Sequence, residues 1–224
     1  MKTTLVGVEQ INHDVSTFWL KPENPLRYTA GQYIEMYLPH NNPDERGQKH
    51  WFTLSASPTE ELISITTKFA GKNSSTFKKT LFSLNPGVEV QISEPMGDFV
   101  LPKDLKIPLV FVAGGIGVTP FRSIIKWLFD TSETRSIQVI LAASTKADIV
   151  FAKLFNEYGA GLSEVTGERL TAKKIIQLIG GSKNKRFYVS GPEPMVEELE
   201  ADLQKNGVGK DQLIGDFFPG YPHI

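Results

Sequence analysis

The chain has 224 residues, with 24 basic and 25 acidic side chains, a formal charge of -1 and 40% hydrophobic residues. That length and apolar content suffice for a substantial core in one large or two small domains, and the balanced charge leaves no global field to draw in nucleic acid or anionic lipid. Cysteine is absent, which excludes disulfides, cysteine-ligated zinc, thiolate catalysis and a cysteine-bound iron–sulfur cluster.

Met1 to Val6 leads into alternating sequence instead of a long apolar run, and no segment approaches the roughly 20 apolar residues that span a bilayer. A cytoplasmic protein is expected. From residue 3 to about 100 the pattern has period two, punctuated by Pro, Gly and Asn: Leu5 to Ile11, Val15 to Leu20, Gln32 to Leu38, Trp51 to Ser55, Leu62 to Lys68 and Val88 to Ser93. Six such strands imply an antiparallel β-barrel. Tyr37 to Lys49 reads as a polar surface loop. Ser75 to Leu84 breaks the strand rhythm and places Phe77, Leu81 and Leu84 on one helical face.

Beyond the proline-flanked stretch Leu101 to Pro108, strands and helices alternate, which marks a second domain of parallel α/β type. The boundary is placed near residue 104, dividing 1–103 from 104–224. Strands are expected at Leu109 to Ala113, Ile137 to Ala143 and Phe187 to Ser190, and helices at Pro120 to Phe129, Ile149 to Glu157, Ala172 to Ile179 and Pro194 to Lys205. Between Glu157 and Leu170 no strand is evident, so the sheet reads as abbreviated. The run Leu109 to Ala113 is followed by Gly114, Gly115 and Gly117, with Thr119 read as a helix N-cap and Pro120 as the first helical residue. Such a turn admits positive φ and offers bare N–H groups to an anion, most naturally a pyrophosphate. It also serves as a ligand-free connection, and its spacing departs from the ordinary G-x-G-x-x-G fingerprint.

Taken in order, the segments His50 to Pro58, Gly71 to Lys78, Ala113 to Pro120 and Ser190 to Met195 resemble the ferredoxin–NADP reductase superfamily. The resemblance covers nearly the whole chain. It implies a two-domain protein, an N-terminal antiparallel FAD-binding barrel joined to a C-terminal parallel α/β domain for NAD(P). It further implies that Phe52 stacks on the isoalloxazine and Thr53 hydrogen-bonds near flavin N5, with His50 and Trp51 completing the motif. His50 stands where arginine is usual, a form similar to that of ferric reductases and NADPH oxidases. Thr67 and Lys68 are implied to touch the ribityl and phosphate groups, and Ser74 and Ser75 to face the flavin diphosphate at a helix N-terminus.

In the second domain the resemblance assigns the nucleotide pyrophosphate to Gly114, Gly115, Gly117, Thr119 and Pro120. Ser190 stands where cysteine is frequent, close to the nicotinamide carbon that gives up hydride, and Gly191, Pro192 and Met195 flank that ring. Tyr221, and after it Phe218, is implied as the aromatic that covers the flavin until nicotinamide displaces it. Thr53, Ser190 and Tyr221 are thus the candidate catalytic residues. Ser144, Thr145 and Lys146 follow a strand with no acidic residue placed for the adenosine ribose, a pattern compatible with a 2′-phosphate, so NADP is favoured and NAD stays open. The implied activity is hydride transfer from NAD(P)H to FAD, and onward electron transfer to a separate acceptor: a ferredoxin, a flavodoxin, a haem protein or a small oxidant. No metal ion, nucleic acid or membrane insertion is called for. The alternative is a non-catalytic flavin- or nucleotide-binding docking module.

Overall fold

The computed structural model describes residues 1–218, the Phe218 side chain excepted. Six strands form the first sheet: β1 (Lys2–Gln10), β2 (Val15–Pro22), β3 (Tyr33–Tyr37), β4 (Lys49–Thr53), β5 (Ile63–Lys68) and β6 (Glu89–Ile92). Their order is β4-β3-β6-β1-β2-β5, with every named pairing antiparallel. The two end strands curl round and meet at the single bridge Leu54–Ile65, closing the sheet into a barrel. Alternation decides which side chains fill it: Leu5, Phe18, Leu20, Ile34, Met36 and Ile65 are at most 1% exposed. Helix α1 (Thr76–Ser83) plugs the barrel with Phe77 and Leu81.

The second sheet is parallel, with order β11-β10-β7-β8-β9. Its strands are β7 (Leu109–Gly114), β8 (Ile137–Ala143), β9 (Gly161–Thr166), β10 (Arg186–Pro192) and β11 (Leu213–Phe218). Helices α2 (Thr119–Thr131) and α3 (Ala152–Tyr158) pack on one face, and α4 (Ala172–Leu178) and α5 (Glu193–Lys205) on the other. The central strand is buried on both faces, as its unbroken apolar run requires. Leu109, Phe111 and Ala113 join one core and Val110 and Val112 the other.

Two expectations are corrected here. The stretch read as abbreviated contains β9, paired in parallel with β8 from Gln138–Gly161 to Ala143–Thr166. As an edge strand it buries only Val165 fully, so its polar residues concealed the periodicity. Thr119 is not an N-cap: Gly115–Val118 already winds as a 3₁₀ turn and runs directly into α2, so the cap position falls on Val118.

The two sheets share packing. Val15, Ala30 and Phe99 from the barrel side join the core that contains Phe121, Ile124 and Tyr188. Arg122 of α2 donates to Ser55 O at 2.9 Å and grips both Glu60 carboxylate oxygens, while Ser123 Oγ donates to Ala56 O. At the other end of the seam Asn12 Nδ2, in the β1–β2 turn, donates to Ala147 O at 3.1 Å.

Candidate functional site

In a parallel sheet the crevice lies outside the carboxyl ends of the strands where the strand order reverses. Here that point falls between β7 and β10, and both strands end in glycine-containing turns. An open cleft of about 1470 Å³ occupies this place, lined by Gly114, Gly115, Ser144, Pro192 and Met195, with Lys68 reaching it from the barrel.

The three glycines of the turn do different things. A Cβ at Gly117 would collide with the carbonyl of Ser190, and one at Gly114 with the Met195 sulfur, so these two let β10 and α5 approach β7. Gly115 has φ +52 and nothing within 4 Å of a would-be Cβ. It is the position that presents bare backbone to the cleft.

At the end of β8, Thr145 donates its N–H and hydroxyl to Asp148 Oδ2 at 2.9 and 2.7 Å. Those two hydrogen bonds hold the Asp148 carboxyl below the usual range. Lys146 lies 3.9 Å from Glu164 of β9 and is largely solvated. Thr145 is therefore engaged in its own turn, while Ser144 lines the cleft and Lys146 is exposed to solvent.

The barrel contributes a seam. β4 pairs with β3 along its length, yet among the described residues its main-chain pairing toward β5 is limited to the Leu54–Ile65 bridge and the adjoining Ser55 N–H to Ser64 O hydrogen bond, both just past the end of β4. Below that bridge the facing edges of β4 and β5 carry main-chain donors and acceptors with no ladder between them. His50, Phe52 and Thr53 stand on one edge and Thr66, Thr67 and Lys68 on the other, with Ser74 and Ser75 at the α1 end. Thr53 is 4% exposed, and Phe52 is 7% exposed within the barrel core. Trp51 points to the opposite face, 56% exposed and 6.3 Å from the Tyr33 ring.

His50 is no surface residue. Its ring stacks on Phe77 at 4.2 Å, and burial, reinforced by the nearby Lys78 charge, pushes its pKa down to about 4. Ser75 Oγ caps α1 by accepting from Lys78 N at 3.0 Å, and Ser74 Oγ accepts from Ala70 N at 2.7 Å. Both serine oxygens are thus spent on shaping the turn that aims the α1 N-terminus.

Ser190 is fully buried in β10, and its register partner on β11 is Asp216. Neither Ser190 Oγ nor Asp216 Oδ2 has a well-formed hydrogen-bond partner among the described residues. Burial raises the Asp216 carboxyl to about 6, although the adjacent Ser190 hydroxyl pulls it down. Two buried polar atoms side by side at the mouth of the switch point are a costly arrangement unless something is bound there. Tyr221 lies outside the described residues, as does the Phe218 side chain.

Sequence reasoning passed over Asp216, whose polar side chain sits in a tail read only for its aromatics. It also passed over Arg46, in a stretch read as a plain surface loop. The signal for the latter is a charged Asp-x-Arg pair, Asp44 and Arg46, closely preceding the His50 motif.

Comparison with known proteins agrees with this layout. The family described as oxidoreductase NAD-binding domain matches residues 111–201. The reductase component of propane 2-monooxygenase from Rhodococcus jostii (strain RHA1) is 23% identical over 97% of this chain and 63% of its own length. Across eight such curated relatives the chain spans 55–67% of their length. Among solved structures, the flavohem-like FAD/NAD-binding domain of nitric oxide dioxygenase from Vibrio cholerae O1 biovar El Tor superposes with a TM-score of 0.82 at 20% identity, over 97% of this chain and 98% of that one. Ferredoxin-NADP+ reductase from Plasmodium falciparum gives 0.80 at 14% identity, over 97% and 95%.

Proposed function

We propose that this chain, which matches an oxidoreductase NAD-binding family over residues 111–201 and has the fold of ferredoxin-NADP+ reductase, is a member of the ferredoxin–NADP reductase superfamily and an NAD(P)H-dependent flavoprotein reductase module serving a separate electron acceptor. Its division is proposed at residues 103 and 104. The carrying observation is the open seam between β4 and β5, whose Lys68 end reaches the cleft lined by the glycine turn of β7. One ligand fits along the barrel edge and a second over the switch point, which is what a flavin and a nicotinamide nucleotide require. The residues fit FAD: paired main-chain edges for its polar rims, the Phe52 aromatic, the Thr53 hydroxyl and a capped helix N-terminus for its diphosphate. Bound there, FAD supplies the chemistry, accepting hydride from the nicotinamide and releasing electrons to the acceptor.

The chain's own part is to bind, orient and exclude water. Gly115 N–H and the start of α2 hold the nucleotide pyrophosphate. Ser190 and Asp216 stand at the nicotinamide end, where Asp216 retains a proton that an ordinary carboxyl would lose at mildly acidic pH. Thr53 offers a hydroxyl that both donates and accepts at the place where hydride arrives. Ser144 in the cleft lining and the exposed Lys146 two residues on support NADP, with NAD the alternative to be measured. Ferredoxins, flavodoxins, haem proteins and small oxidants are the acceptor classes to be compared. A cytoplasmic location is proposed with it; among the described residues no helix is long and apolar enough to cross a membrane.

Anaerobic titration of the purified, FAD-loaded protein with NADH and NADPH tests the reading. Bleaching of the flavin band by at least one nucleotide is expected, and the preferred nucleotide will bleach it at lower concentration. Flavin-containing protein that neither nucleotide bleaches would end the reductase reading.

A further inference from the structure

Resting on the reading that the β4–β5 seam takes FAD, we propose that Arg46, from the loop between β3 and β4, supplies the fixed positive charge toward the cofactor's diphosphate that the barrel motif lacks at His50. His50 is unsuited to that duty. It is buried, stacked on Phe77 at 4.2 Å, and held neutral by burial and by the neighbouring Lys78 charge. Protonating it would place a charge in a low-dielectric pocket, a cost that the attraction of the nearby Asp44 carboxylate does not overcome.

Arg46 is tied to the end of α1 that the diphosphate would face. Its Nη1 donates to Asn73 O at 3.3 Å, in the turn leading into α1. Its Nε and Nη2 donate to Asp44 Oδ2 at 3.1 and 2.8 Å, and that same oxygen accepts the first-turn N–H of Thr76 at 3.0 Å. Asp44 N in turn donates to Thr76 Oγ1 at 2.9 Å. The loop is thereby stitched to α1, and the Asp44 carboxylate fixes the guanidinium orientation. Burial opposes ionisation of Asp44, yet the Arg46 and Thr76 hydrogen bonds prevail and hold it down at about 2. The carboxylate therefore stays charged at neutral and mildly acidic pH.

The electrostatic surroundings agree. Lys78, one turn into α1, is pushed down to about 8 by burial and by Arg46, so these two cations act on one another in one small region. Such a concentration of positive charge at a helix N-terminus favours a bound anion. A guanidinium cannot lose its proton and presents a planar fork suited to phosphate oxygens, which neither histidine nor a partly neutral lysine does.

The test uses the full chain stripped of flavin and titrated with FAD, FMN and riboflavin, following flavin fluorescence. Arg46→Ala is expected to weaken FAD by about 10- to 100-fold, the loss of one or two charge-assisted hydrogen bonds, and to leave riboflavin unchanged. Arg46→Lys keeps the charge but not the fork, and should recover part of the FAD affinity. Raising salt should weaken FAD more in the wild type than in Arg46→Ala. Equal weakening of FAD and riboflavin would show that Arg46 only shapes the loop and would overturn the proposal, as would unchanged FAD affinity. A wild-type chain that binds none of the three flavins would overturn the cofactor reading itself, and the role of Arg46 with it.

Discussion

His50 and Asp216 pull the acid side of the stability curve in opposite directions. The folded His50 titrates near 4 because burial, aided by Lys78, disfavours its charged form. Between that value and its ordinary 6.5 the unfolded chain takes up a proton that the fold refuses, so stability rises with pH across the window, by about 3 kcal/mol in all. Asp216 titrates near 6 instead of 3.8, chiefly through burial. The fold there keeps a proton that the unfolded chain releases, so stability falls as pH rises from 3.8 to 6. The two slopes offset in the wild type. Asp216→Asn should remove the second, leaving urea-unfolding stability that climbs by roughly 2–4 kcal/mol from pH 4 to 6.5; a flat profile in that variant would refute the assignment. Thr53→Val keeps the shape of a buried side chain and deletes its hydroxyl. Flavin should stay bound while anaerobic stopped-flow reduction slows by about 10- to 100-fold, the usual effect of losing one catalytic hydrogen bond. Unchanged reduction would remove Thr53 from the mechanism.

The elements show where sequence patterns speak and where they fall silent. The glycine turn after β7 was legible as a strand-to-helix turn, but the division of labour among its glycines depends on Ser190, Met195 and β10, which are distant in sequence. Gly117→Ala should therefore cost several kcal/mol in thermal or urea unfolding, since backbone of β10 must move. Gly115→Ala should cost about 1 kcal/mol for its positive φ and weaken NADH or NADPH binding in a direct titration. Equal effects at the two positions would argue against separate roles. Ser75 was legible as a cap and is one; Thr119 carried the same signal and is not, because the preceding 3₁₀ turn displaced the helix start. β9 escaped notice because an edge strand needs only one buried contact, here Val165, to be held by its neighbour's ladder.

At the scale of the molecule, the cleft exists because barrel and sheet are clamped. Arg122 is the clamp's centre, with Ser55 O and Glu60 as partners and the Trp19 and Phe151 rings 5.8 and 6.0 Å from its guanidinium carbon. Its side chain and that of Glu60 are 14% and 18% exposed. Arg122→Met should lower stability by about 2–4 kcal/mol, because Glu60 is left charged and half-desolvated. Adding Glu60→Gln should restore part of the loss; a strictly additive double variant would mean that the pair does not couple.

The sequence by itself determined the two sheets, most of their strands, the position of the glycine turn and the motif that marks the barrel edge. Those features are written in local periodicity and in residues whose backbone preferences act over a few positions. Only the tertiary structure decided that β4 and β5 stop pairing above an open seam, that His50 is buried beside Phe77, and that Ser190 and Asp216 lie side by side. It also placed Arg46 at the start of α1. Each of these depends on which chain segments desolvate one another, and burial is a property of the assembled fold that no short window of residues carries.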